Sequence, residues 1–266
     1  MSAPRTFVEP VMGTVASIHV HGTAATSPAV GEAIVRAMAG MRAHERVFST
    51  YRDDSDISRL RRGEVTIDEL DPRVAEVRDR CRAARDATGG LFDAEREGWF
   101  DPTGYVKGWA VDDVTARHLE PLVRMPGITA VGMNVGGDMR LLRHPESDWV
   151  WRVGIADPQD AGRMLAVLAL DSGAVATSGT SERGAHILDP RTGMPAAGVL
   201  SATIVAGDLA TADVWATAAV VAGRDEAARI RRAPVHSGLV VAADGGVSRW
   251  ISGVEVSAGA VTPTAA

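Results

Sequence analysis

The sequence predicts an α+β protein in which mixed sheets pack with helices. Apolar residues recur every three or four positions in some segments and every second position in others. No linker rich in proline or serine divides the 266 residues, and no internal repeat is present. With 45% hydrophobic residues, the chain can bury a substantial core, as one large domain or as two closely joined lobes.

The helical segments carry spacing and capping signals. The segment 27–49 has apolar residues at helical spacing: Val30, Ile34, Met38 and Met41. The segment DPRVAEVRDRCRAARDATGG opens with Asp71 as N-cap, followed by proline, and closes on two glycines. GWAVDDVTARHLEPLV predicts a third helix, and another runs from about Thr211 to Val221.

Strand signals occupy the ends of the chain and its middle. FVEPVMGTVASIHVHG predicts one strand, or two strands with a Met-Gly kink. WVWRVGIADP alternates large apolar residues, as a half-buried strand does. MLAVLALDSGAVATS and LSATIVAG predict further strands, and GLVVAADGGVSRW predicts a hairpin that turns at Asp244-Gly245. The last ten residues, SAGAVTPTAA, are expected to be frayed.

Composition excludes several classes of protein. The formal charge is −6 without a basic stripe, so no nucleic-acid partner is expected. The longest apolar run, WATAAVVAG, is too short to span a bilayer, so no transmembrane segment is expected. The start lacks a signal-peptide pattern, and the single cysteine, Cys81, fits a reducing compartment, so we expect the cytoplasm. Helical spacing predicts that Cys81 is a buried helix residue.

The stretch AVATSGTSERGAHILDPRTGMP (174–195) is dense in groups that bind anions or move protons. It contains the hydroxyls of Thr177 and Ser178, followed by Gly179, His186 and an Asp-Pro-Arg-Thr-Gly turn. Segments of this kind carry function more often than packing.

Asp213 and Thr217 are four residues apart in a predicted helix, so their side chains share one face. A carboxylate and a hydroxyl at that spacing can both bind a hard cation such as Mg²⁺. We expect Thr211 to cap this helix, which would place Asp213 in its first turn. The alternative is that Asp213 only caps the helix and that Thr217 bonds back to a carbonyl.

Three further segments permit a functional and a structural interpretation. NVGGDMR places two glycines and Asp138 after an apolar strand, which allows close approach of a ligand or simply makes a turn. Lys107 precedes a predicted helix start, where its ammonium could meet a phosphate or lie exposed. Tyr51 lies beside an acidic turn that Ser55 is expected to cap, and its acids could equally be solvated.

Other catalytic patterns are absent from the sequence. There is no Gly-x-Ser-x-Gly elbow, no Walker loop and no Gly-x-Gly-x-x-Gly fingerprint. His19 and His21 share a strand face, but one histidine pair is weak evidence for zinc.

Taken together and in order, these segments resemble the ApbE family, the FAD:protein FMN transferases. The resemblance covers roughly residues 6 to 223 and rests on eight motifs in the family order: MGTVASI, FSTYRDDSDISRL, ATGGLFDAE, GYVKGWAVDDV, NVGGDMRLL, WRVGIADP, AVATSGTSERGAHILDPRTGMP and ADVWATAAVVAG. It implies a single compact domain over residues 1–256, with 257–266 as a flexible tail.

The resemblance also implies an activity. Such an enzyme binds FAD and Mg²⁺, splits the pyrophosphate and transfers FMN to a threonine hydroxyl of an acceptor flavoprotein, with release of AMP. The rival hypotheses are a magnesium-dependent FAD pyrophosphatase that yields FMN and AMP, and a non-catalytic FAD-binding protein. Many family members are exported lipoproteins, and this sequence shows neither a signal peptide nor a lipobox cysteine, so the expectation is the cytoplasm, or export if a leader has been removed.

Site residues follow from the resemblance position by position. Magnesium ligands would be Asp213, Thr217 and the backbone carbonyl of Ala110. Nucleotide contacts would come from Met12, Tyr51, Leu91, Phe92, Asp93, Lys107, Asp113, Thr177, Ser178, Gly179, His186 and Ile187. The catalytic residues would be His186, as the general base for the acceptor threonine, and Asp213, with a metal-bound carboxylate as the alternative base.

Overall fold

A large antiparallel sheet runs through the molecule. The computed structural model describes residues 4–95, 98–180, 187–223 and 226–256. The strands are β1 Arg5–Val11, β2 Thr14–His21, β3 Ala130–Val135, β4 Asp138–Arg143, β5 Trp151–Asp157, β6 Asp160–Leu170, β7 Gly173–Gly179, β8 Val199–Ala206, β9 Ser237–Ala242, β10 Val247–Ile251 and β11 Val254–Glu255. Within the described ranges, nine of them form the large sheet, in the order β1-β2-β3-β4-β7-β8-β9-β10-β11. Every neighbouring pair is antiparallel.

The described helices lie in two parts of the chain, one between β2 and β3 and the other between β8 and β9. They are α1 Pro28–Phe48, α2 Asp56–Arg61, α3 Pro72–Thr88, α4 Thr103–Val114, α5 Glu120–Val123, α6 Leu209–Ala222 and α7 Ala227–Arg231. A 3₁₀ turn spans Ile67–Glu69, and a π turn at Thr115–Leu119 joins α4 to α5. None of the described helices combines the length and apolar composition that a membrane crossing needs.

The two faces of the large sheet are covered by different structures, because strand side chains alternate between faces. On one face, Ala176 and Ile204 join the main core with residues of α1, α3, α4 and α6. On the other face, Val175 and Val205 pack against Val153 of the separate two-stranded β5–β6 sheet. The site described below lies on the helical face.

Several sequence predictions are confirmed. The side chain of Asp71 accepts a hydrogen bond from the backbone N–H of Arg73 at the start of α3, which ends at Gly89 with φ +63°. The first segment forms β1 and β2, with Met12 and the following glycine at positive φ in the turn. Cys81 is buried in α3, and burial raises the pKa of its thiol.

Two predictions about helix starts are wrong. Asp208, not Thr211, is the N-cap of α6, and it accepts from the backbone N–H of Thr211 at 2.8 Å. Asp213 therefore lies beyond the first turn. Helix α4 begins at Thr103, so Lys107 lies inside the helix rather than before it. The predicted tail, 257–266, lies outside the described residues.

Candidate active site

Helices α4 and α6 cross at a glycine. A Cβ added to Gly108 would lie 2.9 Å from both the Cα of Ala210 and the carbonyl oxygen of Leu209. Carbon atoms in favourable contact are about 3.5–4.0 Å apart, so only glycine allows this approach of the two backbones. The crossing brings the middle of α4, including Ala110, beside the first half of α6.

Asp112 of α4 stabilises the same crossing, because its side chain caps the N-terminus of α6. Its carboxylate accepts from the backbone N–H groups of Leu209 at 2.8 Å and of Ala210 at 2.9 Å. These N–H groups belong to the first turn and have no partner within their helix. Arg140 of β4 lies 3.4 Å from the same carboxylate. Burial raises the pKa of Asp112, and the two N–H donors oppose that shift.

A buried charge cluster lies next to this crossing. The ammonium of Lys107 contacts the carboxylate of Asp138 and lies 3.6 Å from an oxygen of Asp213. The side chains of Asp138 and Asp213 are 2% and 8% exposed, and that of Lys107 is 27% exposed. Buried carboxylates require partners of opposite charge, so α4, β4 and α6 are held in a defined relation by these groups.

Hydroxyl groups border the cluster. The hydroxyls of Ser178 and Thr217 are 3.1 Å apart, which joins the end of β7 to α6. Thr177 is the preceding residue, so its side chain lies on the opposite face and bonds Thr203 at 2.9 Å. Of the two hydroxyls in the Thr-Ser-Gly segment, only that of Ser178 therefore faces α6. This segment is the end of a strand rather than a loop.

The predicted metal ligands fit Mg²⁺ in their chemistry. Asp213 and Thr217 are one turn apart on α6, and Ala110 is fully buried on the helix that crosses it. All three offer oxygen atoms, which Mg²⁺ prefers, and Mg²⁺ usually takes one or two protein carboxylates together with substrate phosphates and water. The described residues hold no group of three or more His, Cys, Asp or Glu side chains arranged for a metal. A magnesium ion here would therefore have one carboxylate ligand, Asp213. Its other ligands would be a hydroxyl, a carbonyl and a phosphate of the substrate.

Two turns and one strand end that border the site lie at the same end of the large sheet. The β1–β2 turn with Met12, the β3–β4 turn before Asp138 and the end of β7 all lie at this end, because adjacent strands are antiparallel. The backbone N–H of Met12 donates to Glu45 of α1 at 2.9 Å, which fixes the first turn. Met12, Asp138 and Ser178 therefore border the same region.

A family model described as the ApbE family matches residues 12–97 and 95–239. The chain belongs to the ApbE family. Over 142 residues it is 36% identical to an FAD:protein FMN transferase of Rhodobacter capsulatus. This match covers 49% of this chain and 25% of that protein. Over 145 residues it is 30% identical to one of Escherichia coli K12, which covers 51% and 39%. The matches thus span well under half the length of these curated relatives.

Solved structures show the fold. The ApbE protein of Thermotoga maritima superposes with a TM-score of 0.77 at 24% identity, covering 93% of this chain and 97% of that one. The flavin transferase ApbE of Vibrio cholerae gives 0.73 at 21% identity, covering 94% and 98%. The predicted α+β fold of the ApbE type is confirmed.

The other predicted flavin contacts occupy varied positions in this ApbE family protein. Tyr51, just past α1, is 91% exposed. Leu91 and Phe92 follow α3 and are buried in the main core, where the ring of Phe92 lies beside Gly104 of α4. The carboxylate of Asp93 lies 3.2 Å from Arg85. Only Tyr51 among these four presents a large open surface, and their roles toward a nucleotide stay predictions.

Asp113 belongs to a second polar cluster. Its carboxylate accepts from Arg117 at 2.7 Å and from the ring of His44 at 2.9 Å. The other ring nitrogen of His44 lies 3.2 Å from Arg73, so it accepts from that guanidinium while the first nitrogen carries the proton. Burial lowers the pKa of His44, which agrees with a neutral ring. The predicted role of Asp113 at the nucleotide stays a prediction.

His186 lies outside the described residues, and Ile187 begins the next described range. Ile187 is buried, and its carbonyl accepts from the backbone N–H of Ala196 at 2.9 Å. A cavity of about 430 Å³ lies between the following residues and the end of α6, with Asp189, Arg191 and Glu226 in its wall. It does not include the buried charge cluster.

Sequence reasoning missed Gly108, Asp112 and Asp138 as contributors to the site. The predicted third helix begins at Gly108, whereas α4 begins at Thr103 and has this glycine in its interior, where glycine costs about 1 kcal/mol relative to alanine and so indicates close packing. The NVGGDMR segment permits close approach of a ligand or a turn, and neither interpretation predicts that Asp138 pairs with Lys107, 31 positions away. No local pattern predicts such a contact.

Proposed function

We propose that this ApbE family protein is a magnesium-dependent FAD:protein FMN transferase. It moves FMN from FAD to a threonine hydroxyl of an acceptor flavoprotein and releases AMP. The names of the curated relatives support the reaction. The observation that carries the proposal is the buried cluster of Lys107, Asp138 and Asp213 beside the hydroxyls of Ser178 and Thr217.

Each group in the site has a task in this proposal. The ammonium of Lys107 binds non-bridging oxygens of the FAD pyrophosphate. Its side chain is the most exposed of the three in the cluster and so is the one that a ligand can reach. Asp213, Thr217 and the carbonyl of Ala110 hold Mg²⁺. When bound, the ion neutralises charge on the pyrophosphate. Ser178 donates its hydroxyl from the end of β7 and orients the phosphate beside α6.

The transfer step needs one proton acceptor. The acceptor threonine oxygen attacks the phosphorus of the FMN half, and a new phosphorus–oxygen bond forms. The bond from that phosphorus to the bridging oxygen breaks, and AMP leaves with this oxygen. The threonine proton goes to His186, whose ordinary pKa near 6.5 suits a general base at neutral pH. This role of His186 is inferred from the sequence.

The test is a reaction of the purified protein with FAD and Mg²⁺, with and without a threonine-bearing acceptor. We expect AMP release that depends on the acceptor, and an acceptor that gains the mass of one FMN. An acceptor with valine in place of the threonine is the control and should gain nothing. AMP and free FMN without acceptor would instead indicate the pyrophosphatase, and FAD binding without AMP would indicate a carrier.

A further inference from the structure

Asp138 joins two elements through its two carboxylate oxygens. One oxygen contacts the ammonium of Lys107 on α4, and the other accepts from the backbone N–H of Thr177 on β7 at 3.0 Å. With its side chain 2% exposed, this carboxylate is buried almost completely. It is therefore placed to fix the lysine and the strand relative to each other.

The hydrogen bond to Thr177 stands where a backbone hydrogen bond between β4 and β7 would otherwise be expected. Strands β4 and β7 pair at Met139 and Val175, so continuing the register would place Thr177 opposite Gly137. Gly137 is in the β3–β4 turn with φ +94°, where β4 has not yet begun. The side chain of Asp138 supplies the acceptor for the Thr177 N–H at this point. The segment that carries Ser178 is thus positioned by Asp138.

The bond to Lys107 sets where the ammonium lies. A lysine side chain has several rotatable bonds, so its ammonium takes a defined place only when an anchor holds it. The ammonium pairs with both carboxylates, closely with Asp138 and at 3.6 Å with Asp213. The anchor therefore holds Lys107 nearer to Asp138 than to Asp213.

We propose that Asp138 is a positioning residue for the transfer site. It holds the Lys107 ammonium at the phosphate-binding position, with its longer contact to the metal ligand Asp213, and it fixes the register of the Thr-Ser-Gly strand relative to both. This inference rests on the proposed function. Without the anchor, Lys107 pairs more closely with Asp213, which lowers the affinity of the site for Mg²⁺ and for the FAD pyrophosphate.

The test is a double-mutant cycle between Asp138→Asn and Lys107→Met. Asparagine keeps the shape and an oxygen for the Thr177 N–H, but its amide group repels an ammonium. In Asp138→Asn we expect Mg²⁺ affinity by calorimetry and FAD affinity in chelator each to fall roughly 10–100-fold, as for outer-shell partners of metal ligands. In the Lys107→Met background, the same change should alter either affinity by no more than about threefold.

A matched control is Asp157→Asn. Asp157 is also buried, and it also accepts from a backbone N–H, that of Gln159 at 2.9 Å, with Arg163 at 3.6 Å. It lies on β5 in the separate two-stranded sheet. This variant should lose some thermal stability and keep wild-type affinities for Mg²⁺ and FAD.

The outcomes separate this inference from the proposed function. Equal losses from Asp138→Asn with and without Lys107, or a loss of stability alone as in Asp157→Asn, overturn the positioning role. If the wild-type protein neither binds FAD nor releases AMP, the proposed function fails. The Mg²⁺ arm of the cycle then still decides whether Asp138 acts through Lys107.

Discussion

Replacing Gly108 by alanine tests whether the crossing of α4 and α6 sets the geometry of the site. The new Cβ would lie 2.9 Å from the backbone of Ala210, which cannot rotate away as a side chain can. To reach a favourable carbon–carbon distance of about 3.5–4.0 Å, the helices must separate by roughly 0.6–1.1 Å. That shift moves Lys107 and Ala110 relative to Asp213.

The effects on stability and on activity should differ in size. Overpacking costs about 1–3 kcal/mol, and alanine returns about 1 kcal/mol of helix propensity, so the net loss of unfolding free energy is about 0–2 kcal/mol. A displacement of about 1 Å in a positioned site costs on the order of 10²-fold in rate. We therefore expect a folded Gly108→Ala protein with AMP release reduced about 10²-fold.

The assay combines urea unfolding with the rate of AMP release at saturating Mg²⁺. Gly31→Ala in α1 is the control for helix propensity, because its added Cβ would lie 3.5 Å from the guanidinium of Arg5, at ordinary contact distance. This control should keep its rate within a few-fold of wild type. A Gly108→Ala rate equal to that of Gly31→Ala would refute the argument that the crossing positions the site.

Three further predictions follow from the charge cluster, the acceptor side and the second polar cluster. Asp213→Ala should abolish AMP release while urea unfolding shows an intact fold, because the variant lacks a metal-binding carboxylate; a rate within a few-fold of wild type at saturating Mg²⁺ would contradict the metal role. His186→Asn should keep FAD affinity and lower the transfer rate by about 10²–10⁴-fold, with a flatter rise of rate with pH; weakened FAD binding with an unchanged pH profile would move the base role elsewhere. The lowered pKa of buried His44 means that the unfolded chain takes up a proton at higher pH than the native one, so unfolding free energy should fall as pH drops through the ordinary value of 6.5. His44→Gln should weaken that dependence without removing it, since burial also lowers the pKa of His19 and His21, and an unchanged dependence in chemical unfolding from pH 8 to pH 5 would contradict the assignment.

Local signals predicted most of the elements, because the physics that makes them is local. Asp71 accepts a backbone N–H that would otherwise have no partner, and Gly89 adopts the positive φ that ends α3. The prediction for the start of α6 was wrong because two residues near it can both cap a helix. Asp208 and Thr211 are both capable N-caps, and only the structure shows that Thr211 donates to Asp208 rather than capping the helix itself.

Contacts between distant segments were beyond such reasoning. The pairing of Lys107 with Asp138 depends on where α4 crosses the sheet, and the register of β4 against β7 decides that Asp138 reaches Thr177. The family resemblance named Asp213 and Thr217, whose spacing on one helix is local. It did not reveal that Asp112 caps α6 from α4.

Helix α6 is both a central part of the core and a wall of the site, and this couples stability to chemistry. Nearly all of its residues are buried, so Asp213 and Thr217 cannot shift unless the packed helix shifts with them. A packing change at Gly108 should therefore have a larger effect on the activation free energy of AMP release than on the free energy of unfolding. A charge change at Asp138 should instead act through Lys107 alone, because it leaves the crossing of the helices in place. Comparing the two variants distinguishes a site set by backbone packing from one set by its ion pairs.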